Sequence, residues 1–306
     1  MKRLVIILFF CISLGGIALA QYFPVFSQYL TNGLVLNPAY TGSREVLSIN
    51  LMYRNQMLGF EGAPVFQTFS AHAPLKNANV GVGVLFLNEQ SGPIRNTQAY
   101  FNYAYRVHMG RGRMALGIKA GVNYGQYNWN NFNLNEADPA FTNNNNSFIL
   151  PNVGAGVFYY SRRFFTGFSI PYILSYKEKS TRNGYSVTND ANNYSFLLTA
   201  GYLVDISRGF KLKPSALLKY YVRYPQQLDL NLNVILLNDK LWLGTAYRIN
   251  EAVAGMFEIQ FNPQFRLGYT FEYAGQKVSY FNYTSHEISL RYEFSYKIKA
   301  FNPRYF

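Results

Sequence analysis

Apolar and polar residues alternate with a period of two along most of the chain. In the stretch 228–234 every even position is apolar, and the odd positions are Asp229, Asn231 and Asn233. The stretch 265–273 alternates in the same way. Successive side chains of a β-strand point to opposite faces, so each such stretch predicts a strand with one apolar and one polar face.

Fourteen stretches of this kind can be marked, most of them about 9–13 residues long. Strands of that length fit a tilted membrane crossing better than a typical globular strand. An even number is expected of a single-chain bacterial barrel, so the pattern predicts an all-β fold, a single antiparallel transmembrane β-barrel of about 14 strands. The predicted strands are 46–53, 65–72, 80–88, 96–107, 113–126, 148–160, 164–174, 193–204, 210–222, 227–237, 240–249, 252–261, 264–274 and 285–297.

The predicted connections divide into a short set and a set that contains the long ones. Short turns at one end and longer loops at the other are the pattern of outer-membrane barrels, whose short turns are periplasmic. The even strand number then places both termini in the periplasm. The short connections are 73–79, 108–112, 161–163, 205–209, 238–239 and 262–263, and the long ones are 54–64, 127–147, 175–192 and 275–284.

Composition supports a membrane barrel. The chain is 49% hydrophobic and 18% aromatic but only 14% charged, whereas soluble proteins average about 25% charged residues. After residue 20, no stretch reaches the roughly 18 consecutive apolar residues of a transmembrane helix. A barrel places these apolar side chains on an outward band bordered by aromatic girdles.

The first twenty residues have the pattern of a cleaved signal peptide: Lys2 and Arg3, an apolar run, and the cleavage site Ala18-Leu19-Ala20. We therefore expect four parts. They are a signal peptide (1–20), a periplasmic or luminal N-terminal segment (21–45), the transmembrane barrel (46–297) and a periplasmic C-terminal tail (298–306).

No motif indicates an enzyme, a cofactor or a metal site. His286-Glu287 begins like a zinc-protease motif, but position 290 is leucine, and the three histidines lie on separate strands or turns. The glycine pairs at 81–83 and 154–156 do not open a helix, so they indicate room inside the barrel or close backbone approach, not a phosphate loop.

Charged residues recur on the polar faces of neighbouring strands. We expect them to satisfy one another as a luminal polar network. Paired carboxylates for hydrolysis, drawn from Glu258, Glu272 and Glu293, stay open as the weaker alternative. The candidate luminal residues are Lys119, Asp229, Arg248, Glu258, Arg266, Glu272, Arg291 and Glu293.

The formal net charge is +13. Because an exported protein rarely meets nucleic acid, anionic lipid or an acidic protein is the expected partner, and no small-molecule substrate is indicated. The basic residues gather at the predicted periplasmic end, where they would contact lipid phosphates or dock an acidic periplasmic partner. They are Lys76, Arg111, Arg113, Arg162, Arg163, Arg208, Lys211, Lys213, Lys240, Lys297, Lys299 and Arg304.

The segment before the first strand has no strand periodicity. Pro38 fixes its own φ and biases Asn37 towards an extended conformation, and Gly42 allows a sharp turn. Such a segment could enter the lumen as a plug, present Tyr29 and Tyr40 to a periplasmic partner, or merely close the base of the barrel. The candidate partner-docking residues are Tyr29, Asn37, Pro38, Tyr40, Gly42, Arg111, Arg113, Arg162 and Arg163.

Three stretches together resemble one family. They are LNPAYTG at 36–42, the first predicted hairpin beginning with YRNQ at 53–56, and SHEISLRYEF at 285–294. These stretches are similar to the PorP/SprF outer-membrane proteins of Bacteroidetes. The resemblance implies a component of the type IX secretion system and gliding motility machinery that helps export or surface-anchor large secreted or adhesin proteins. It carries over no catalytic residue. A passive outer-membrane porin is the alternative, and an outer-membrane lipase or protease would need a nucleophile–base pair that the sequence does not show.

Overall fold

The computed structural model describes residues 32–76, 79–127, 147–179, 184–223, 225–275 and 283–294. They contain seventeen strands, numbered in chain order, and fourteen of these close into an antiparallel barrel, as predicted; β8 (Ser175–Lys179), β9 (Gly184–Thr188) and β11 (Val204–Ser207) are short additional strands. The fourteen barrel strands are β1 (Ser48–Asn55), β2 (Val65–Pro74), β3 (Val80–Ser91), β4 (Ile94–Met109), β5 (Gly112–Tyr127), β6 (Ser147–Tyr160), β7 (Phe164–Ile170), β10 (Ser195–Tyr202), β12 (Phe210–Tyr221), β13 (Gln227–Leu236), β14 (Leu241–Arg248), β15 (Ala252–Gln260), β16 (Phe265–Ala274) and β17 (Thr284–Glu293).

The barrel closes because every one of these strands has a neighbour on both sides. β1 pairs with both β2 and β17, with Leu51 opposite Leu290. β10 pairs with both β7 and β12. The short strand β11 (Val204–Ser207) follows β10 after Leu203 and pairs with β12 as well. Closure leaves no open sheet edge, which a lipid environment could not satisfy.

Side chains alternate between lipid and lumen along the strands. Leu116 and Leu230 are 51% and 44% exposed on the outer surface. Phe294, the residue that follows β17, is exposed as well. Lys119 and Asp229, which lie on the opposite faces of the same strands, are buried inside. The exposed leucines are favourable only in lipid, so the alternation fixes which face of each strand is outside.

The long strand connections all lie at one end of the barrel, which also carries short turns such as 92–93 between β3 and β4. We call the two ends the short-turn end and the long-loop end. Gly110 and Gly209 have φ of 60° and 81° in two short turns, a conformation that glycine adopts without strain. The short-turn end carries the connections after β2, β4, β6, β11, β13 and β15.

Several details differ from the sequence prediction. One is β11 (Val204–Ser207), which takes up most of the predicted turn 205–209. The predicted strand 164–174 ends at Ile170, because Pro171 has no N–H to donate to the ladder. The long connection that follows contains a two-stranded sheet of β8 (Ser175–Lys179) and β9 (Gly184–Thr188), which was predicted as loop. In the described part of the chain, no helix is long and apolar enough to cross a bilayer.

The outward position of Leu230 leads to a stability prediction. Leu230→Arg places a charge in the apolar band and should lower the free energy of unfolding by about 2–4 kcal/mol, as for cations near a bilayer midplane. Asn231→Ser changes the next residue, which faces the lumen, and should lower the free energy of unfolding much less. Denaturant unfolding in lipid vesicles measures both values, and equal losses would contradict the assignment of the two faces.

Candidate functional site

Residues 32–46, which we call the plug, lie inside the barrel. The plug has one short helix, α1 (Gly33–Leu36), and a 3-10 turn (Pro38–Tyr40). The Asn37 side chain caps that turn by accepting a hydrogen bond from the Ala39 N–H at 2.9 Å. Pro38, at the first position of the turn, has a ring that fixes the φ needed there. All plug residues are buried except Gly33, which is partly buried.

Asn37 ties the plug to the barrel wall. Its Nδ2 donates to the carbonyl oxygens of Val157 in β6 at 2.9 Å and Phe168 in β7 at 3.3 Å. The plug backbone is bound as well, because the Ser169 hydroxyl donates to the Leu36 carbonyl at 2.7 Å. These hydrogen bonds satisfy polar groups that would be costly to bury alone.

Three wall glycines let the plug backbone approach the strands. They are Gly81 in β3, Gly117 in β5 and Gly156 in β6, and together they form what we call the glycine groove. A Cβ added to Gly117 would overlap the backbone of Ala39, and one added to Gly81 would overlap the carbonyl of Thr41. A Cβ on Gly156 would overlap the Asn37 side chain. Of the two roles predicted for the glycine pairs, close backbone approach applies to Gly81, which faces Thr41, and room inside the barrel applies to Gly156, which faces the Asn37 side chain.

Gly42 turns the plug towards the first strand. Its φ of 75° is left-handed, so the conformation suits glycine. Its N–H donates to Nδ1 of His72 at 3.0 Å, and its carbonyl accepts from the Arg106 guanidinium. His72 therefore holds the plug in this structure.

Two ion pairs fasten the end of the plug. Arg44 bonds Glu293 in β17 at 2.7 Å, and Glu45 bonds Arg113 in β5 at 2.8 Å. Burial alone would lower the pKa of the Arg44 guanidinium, but the neighbouring Tyr40 and Glu293 raise it on balance. Arg44 therefore stays charged inside the barrel.

A second segment enters the lumen from the wall. After β7 the chain turns inward at 171–174, and Tyr172 packs against plug-containing apolar clusters. The Tyr172 hydroxyl donates to Gln98 at 2.8 Å. Lys119 lies between two rings, with its Nζ 4.3 Å from the centre of Tyr100 and 4.4 Å from that of Tyr172. Lys119 thus makes cation–π contacts at the place where the inward segment meets the wall.

The remaining predicted luminal residues lie inside the barrel on β13 to β17. Ion pairs join Asp229, Arg248, Glu258, Arg266, Glu272 and Glu293 to partners in the lumen. Arg248 bonds Asp229 at 3.1 Å and Glu272 at 3.3 Å. Arg266 bonds Glu258 at 3.2 Å. Arg291 is buried on the same side of the lumen.

Sequence reasoning missed Arg54 and Glu287, which join this network. Arg54 bonds Glu272 at 2.8 Å and Glu287 at 3.3 Å, and both of its acidic partners are buried. The predicted first strand ended at residue 53, one position short of Arg54. Extending the alternation by one residue would have placed Arg54 on the lumen face.

These ion pairs bear on the hydrolytic alternative. Glu258, Glu272 and Glu293 each bond an arginine, so each carboxylate is held as the partner of a cation. Among the residues that the structure describes, no group of histidine, cysteine, aspartate and glutamate side chains could hold a metal ion.

The predicted basic end separates into exposed and internal residues. Five of the exposed residues at the short-turn end, which we call the basic rim, are Lys76, Arg111, Arg162, Arg163 and Arg208. Lys240 is also exposed, on the turn between β13 and β14, and Lys211 is partly buried and bonds Asp239 at 2.6 Å. Arg163 bonds the exposed Asp205 at 3.0 Å. Lys213 is not on a turn: it is buried, with its Nζ 5.2 Å from the centre of the Trp242 ring. Lys297, Lys299 and Arg304 lie outside the described residues.

The predicted docking residues are therefore divided. Asn37, Pro38, Tyr40 and Gly42 are buried in the plug, so in this structure they are closed to a partner. These residues serve to pack the plug against the barrel wall and do not form an exposed surface. Arg113 belongs with them, because it is bonded to Glu45. Arg111, Arg162 and Arg163 remain on the surface, and Tyr29 lies outside the described residues.

The glycine groove leads to a prediction about the plug. Gly117→Val should push the plug from the wall, because the added atoms occupy the space of the Ala39 backbone. Overpacking of this kind costs about 1–3 kcal/mol, so exposure of the plug should rise about tenfold. Maleimide labelling of Ser43→Cys, at a position fully buried in the plug, measures it.

The matched control is Gly255→Val. An added Cβ at Gly255 meets no atom within 4 Å, so labelling of Ser43→Cys should stay slow. Equal labelling rates in the two backgrounds, with both barrels folded, would contradict the role of the groove.

Comparisons with known proteins agree with this architecture. Among solved structures, the chain is similar to the CymD monoaromatic hydrocarbon channel, with a TM-score of 0.55, 13% identity, and coverage of 93% of this chain and 96% of that one. It is also similar to a TodX monoaromatic hydrocarbon channel deltaS2 mutant, with a TM-score of 0.51, 9% identity, and coverage of 87% and 94%. At such identities the likeness shows the outer-membrane barrel fold alone.

Sequence comparison is more specific. No curated protein matches the chain. A family model described as type IX secretion system membrane protein PorP/SprF matches residues 18–292, which is most of the sequence. The chain is therefore an outer-membrane β-barrel that belongs to the PorP/SprF family of type IX secretion system membrane proteins.

Proposed function

We propose that this barrel is a plugged scaffold of the type IX secretion system, which helps export or surface-anchor large secreted or adhesin proteins without conducting solutes itself. The observation that carries the proposal is the fit of the plug to the glycine groove. A segment held by backbone contacts, side-chain hydrogen bonds and two ion pairs is built to stay in place.

The alternative function is a passive porin. A porin needs a continuous polar path, whereas Leu34, Val35 and Ala39 of the plug pack with apolar wall residues in the lumen. The inward segment at 171–174 adds Tyr172 to the same packing. These contacts favour a scaffold over an open channel.

The two ends of the barrel suit different partners. We assign the short-turn end to the periplasm and the long-loop end to the cell surface, so both termini would be periplasmic. The basic rim would then attract an acidic periplasmic component of the secretion system. The long loops would meet the secreted or surface protein.

A scaffold of this kind has no catalytic step. The luminal carboxylates are engaged with arginines, and the exposed groups at the short-turn end are mainly cations. The partners that this chemistry supports are proteins and outer-membrane lipid, with no nucleic acid and no small-molecule substrate.

Ion conductance distinguishes a scaffold from a porin. In planar bilayers the wild-type barrel should show no steady open channel, while Gly117→Val should conduct because its plug is displaced. Gly255→Val should behave like the wild type. Steady conductance of the wild-type barrel would support the porin alternative.

Reversing charges on the basic rim tests periplasmic docking. A triple variant of Arg111→Glu, Arg162→Glu and Arg208→Glu should insert normally but lose periplasmic partners in a pull-down from native membranes. All three side chains are exposed, so their loss should not unfold the barrel. The wild-type complex should also loosen as salt rises, because attraction between exposed charges is screened.

The control variant is Arg95→Glu, which changes an exposed residue at the long-loop end. It should keep the periplasmic partners. If the triple variant retains every partner at the same salt, the basic rim is a lipid contact and the docking proposal fails.

A further inference from the structure

A cavity of about 550 Å³ lies at the short-turn end. It is bounded by the plug, the turn between β13 and β14, and the turn between β15 and β16. Its volume is within the range of about 300–1,000 Å³ that is typical of ligand sites. The charged residues that line it are Arg44, Asp239, Lys240, Arg266, Arg291 and Glu293.

Cations outnumber acids on this lining. Four of the six charged side chains are basic, and both acids already bond a cation: Glu293 bonds Arg44 at 2.7 Å, and Asp239 bonds Lys211 at 2.6 Å. Arg266 in turn bonds Glu258, which lies outside the lining, at 3.2 Å. With Lys211 and Glu258 counted, five cations face three acids, so the described lining has an excess of positive charge. A ligand with negative charge complements it.

The lining also suits a peptide. Gln260 and Gln264 offer amide groups that can bond a peptide backbone. Phe261 and Phe265, with ring centres 5.8 Å apart, add an apolar contact, and Phe261 is 59% exposed. The lining of this one cavity thus contains charged, amide and aromatic groups.

The position of the cavity favours a soluble ligand over a lipid. Arg291 and Glu293 lie on the lumen face of β17, whereas Tyr292 between them is exposed on the outer surface. Arg44 belongs to the plug. Lipid headgroups surround the outer wall of a barrel, while this lining faces its mouth.

We propose that this cavity binds an acidic peptide segment of a soluble partner, with carboxylate side chains held by Lys240, Arg266 and Arg291. The proposal rests on the proposed function, since it gives the place where a periplasmic component would be anchored. It differs from the basic rim, which lies on exposed turns and would act through long-range attraction.

The chain contains a reporter beside the cavity. It has two tryptophans, Trp129 and Trp242. The Arg266 guanidinium lies 4.5 Å from the centre of the Trp242 ring, and the indole N–H donates to the carbonyl of Asp239 at 3.1 Å. A ligand that draws Arg266 towards itself should therefore change the fluorescence of Trp242.

The experiment titrates the purified full-length barrel carrying Trp129→Phe with hexaglutamate and, separately, with hexaglutamine. Hexaglutamate should change Trp242 fluorescence saturably, and hexaglutamine should not. Gln264→Glu adds one negative charge to the cavity and should weaken hexaglutamate binding at least about tenfold, the factor that corresponds to about 1.4 kcal/mol.

The matched control is Arg95→Gln, which also lowers the net charge by one but lies on β4 at the long-loop end, away from the cavity lining and the basic rim. It should bind hexaglutamate nearly as the parent does. If Gln264→Glu and Arg95→Gln weaken binding equally, or if hexaglutamine binds as well as hexaglutamate, the proposal is overturned. Inorganic phosphate binding as tightly as hexaglutamate would also overturn it, because the cavity would then be a small-anion site.

The outcomes separate this proposal from the scaffold. If hexaglutamate does not bind while the triple rim variant still releases partners, the cavity proposal fails and the scaffold stands. If hexaglutamate binds as described but the wild-type barrel conducts steadily, the scaffold fails and the cavity remains a peptide site.

Discussion

The wall side chains of a small barrel can fill its interior, but a barrel of fourteen strands encloses more space than its wall side chains fill. Polar groups inside that space must be hydrogen-bonded and apolar groups must be packed. In this protein the plug meets that constraint on the side of β3 to β7. In the glycine groove, Gly81 and Gly117 let the plug backbone contact the wall backbone, which a side chain at either position would prevent. The rest of the interior is arranged around this contact: Tyr172 packs against the plug, and Arg44 and Glu45 carry its charges to the wall.

The opposite side of the lumen is filled by charge. Arg54, Arg248 and Glu272 form a connected set of ion pairs across β1, β14 and β16. Burying single charges is costly, and removing one partner of a buried pair leaves the other charge uncompensated. The network therefore tolerates little change at any one member. It also explains why so many charged residues alternate with apolar ones in the last strands of the sequence.

Alternation was enough to predict the strands, because lipid outside and a polar lumen inside act on every second residue. It could not predict the plug contacts. Gly117 looks like any small residue of an alternating strand, and its role depends on Ala39, which is far away in the sequence but adjacent in space. For the same reason the sequence left open whether Tyr40 is buried or presented to a partner. The ring is buried, and its hydroxyl accepts a hydrogen bond from Nε of Arg44 at 2.9 Å.

Local sequence signals also predict the connections between strands less well than the strands themselves. Pro171 ends β7 as a missing N–H requires, but the inward course of 171–174 follows from tertiary contacts such as the bond from the Ile173 N–H to the Val153 carbonyl. The hairpin of β8 and β9 is short and separate from the barrel, so membrane burial imposes no clear alternation on it. Long-range contacts thus decided the parts of the fold that periodicity could not.

Arg44 links the interior of the barrel to its mouth. It bonds Tyr40 and Glu293 in the lumen, and it also lines the cavity at the short-turn end. A carboxylate bound in that cavity would compete with Glu293 for the same guanidinium, because a cation shared between two acids is held less tightly by each. The plug contact nearest the mouth would then weaken as the ligand binds, while Asn37 and the glycine groove, deeper in the lumen, keep their contacts. If an acidic peptide binds at the mouth, as proposed, and a carboxylate reaches Arg44, its binding would be coupled to the seating of the plug through that side chain. The size of the coupling would be limited by the strength of the Arg44–Glu293 pair.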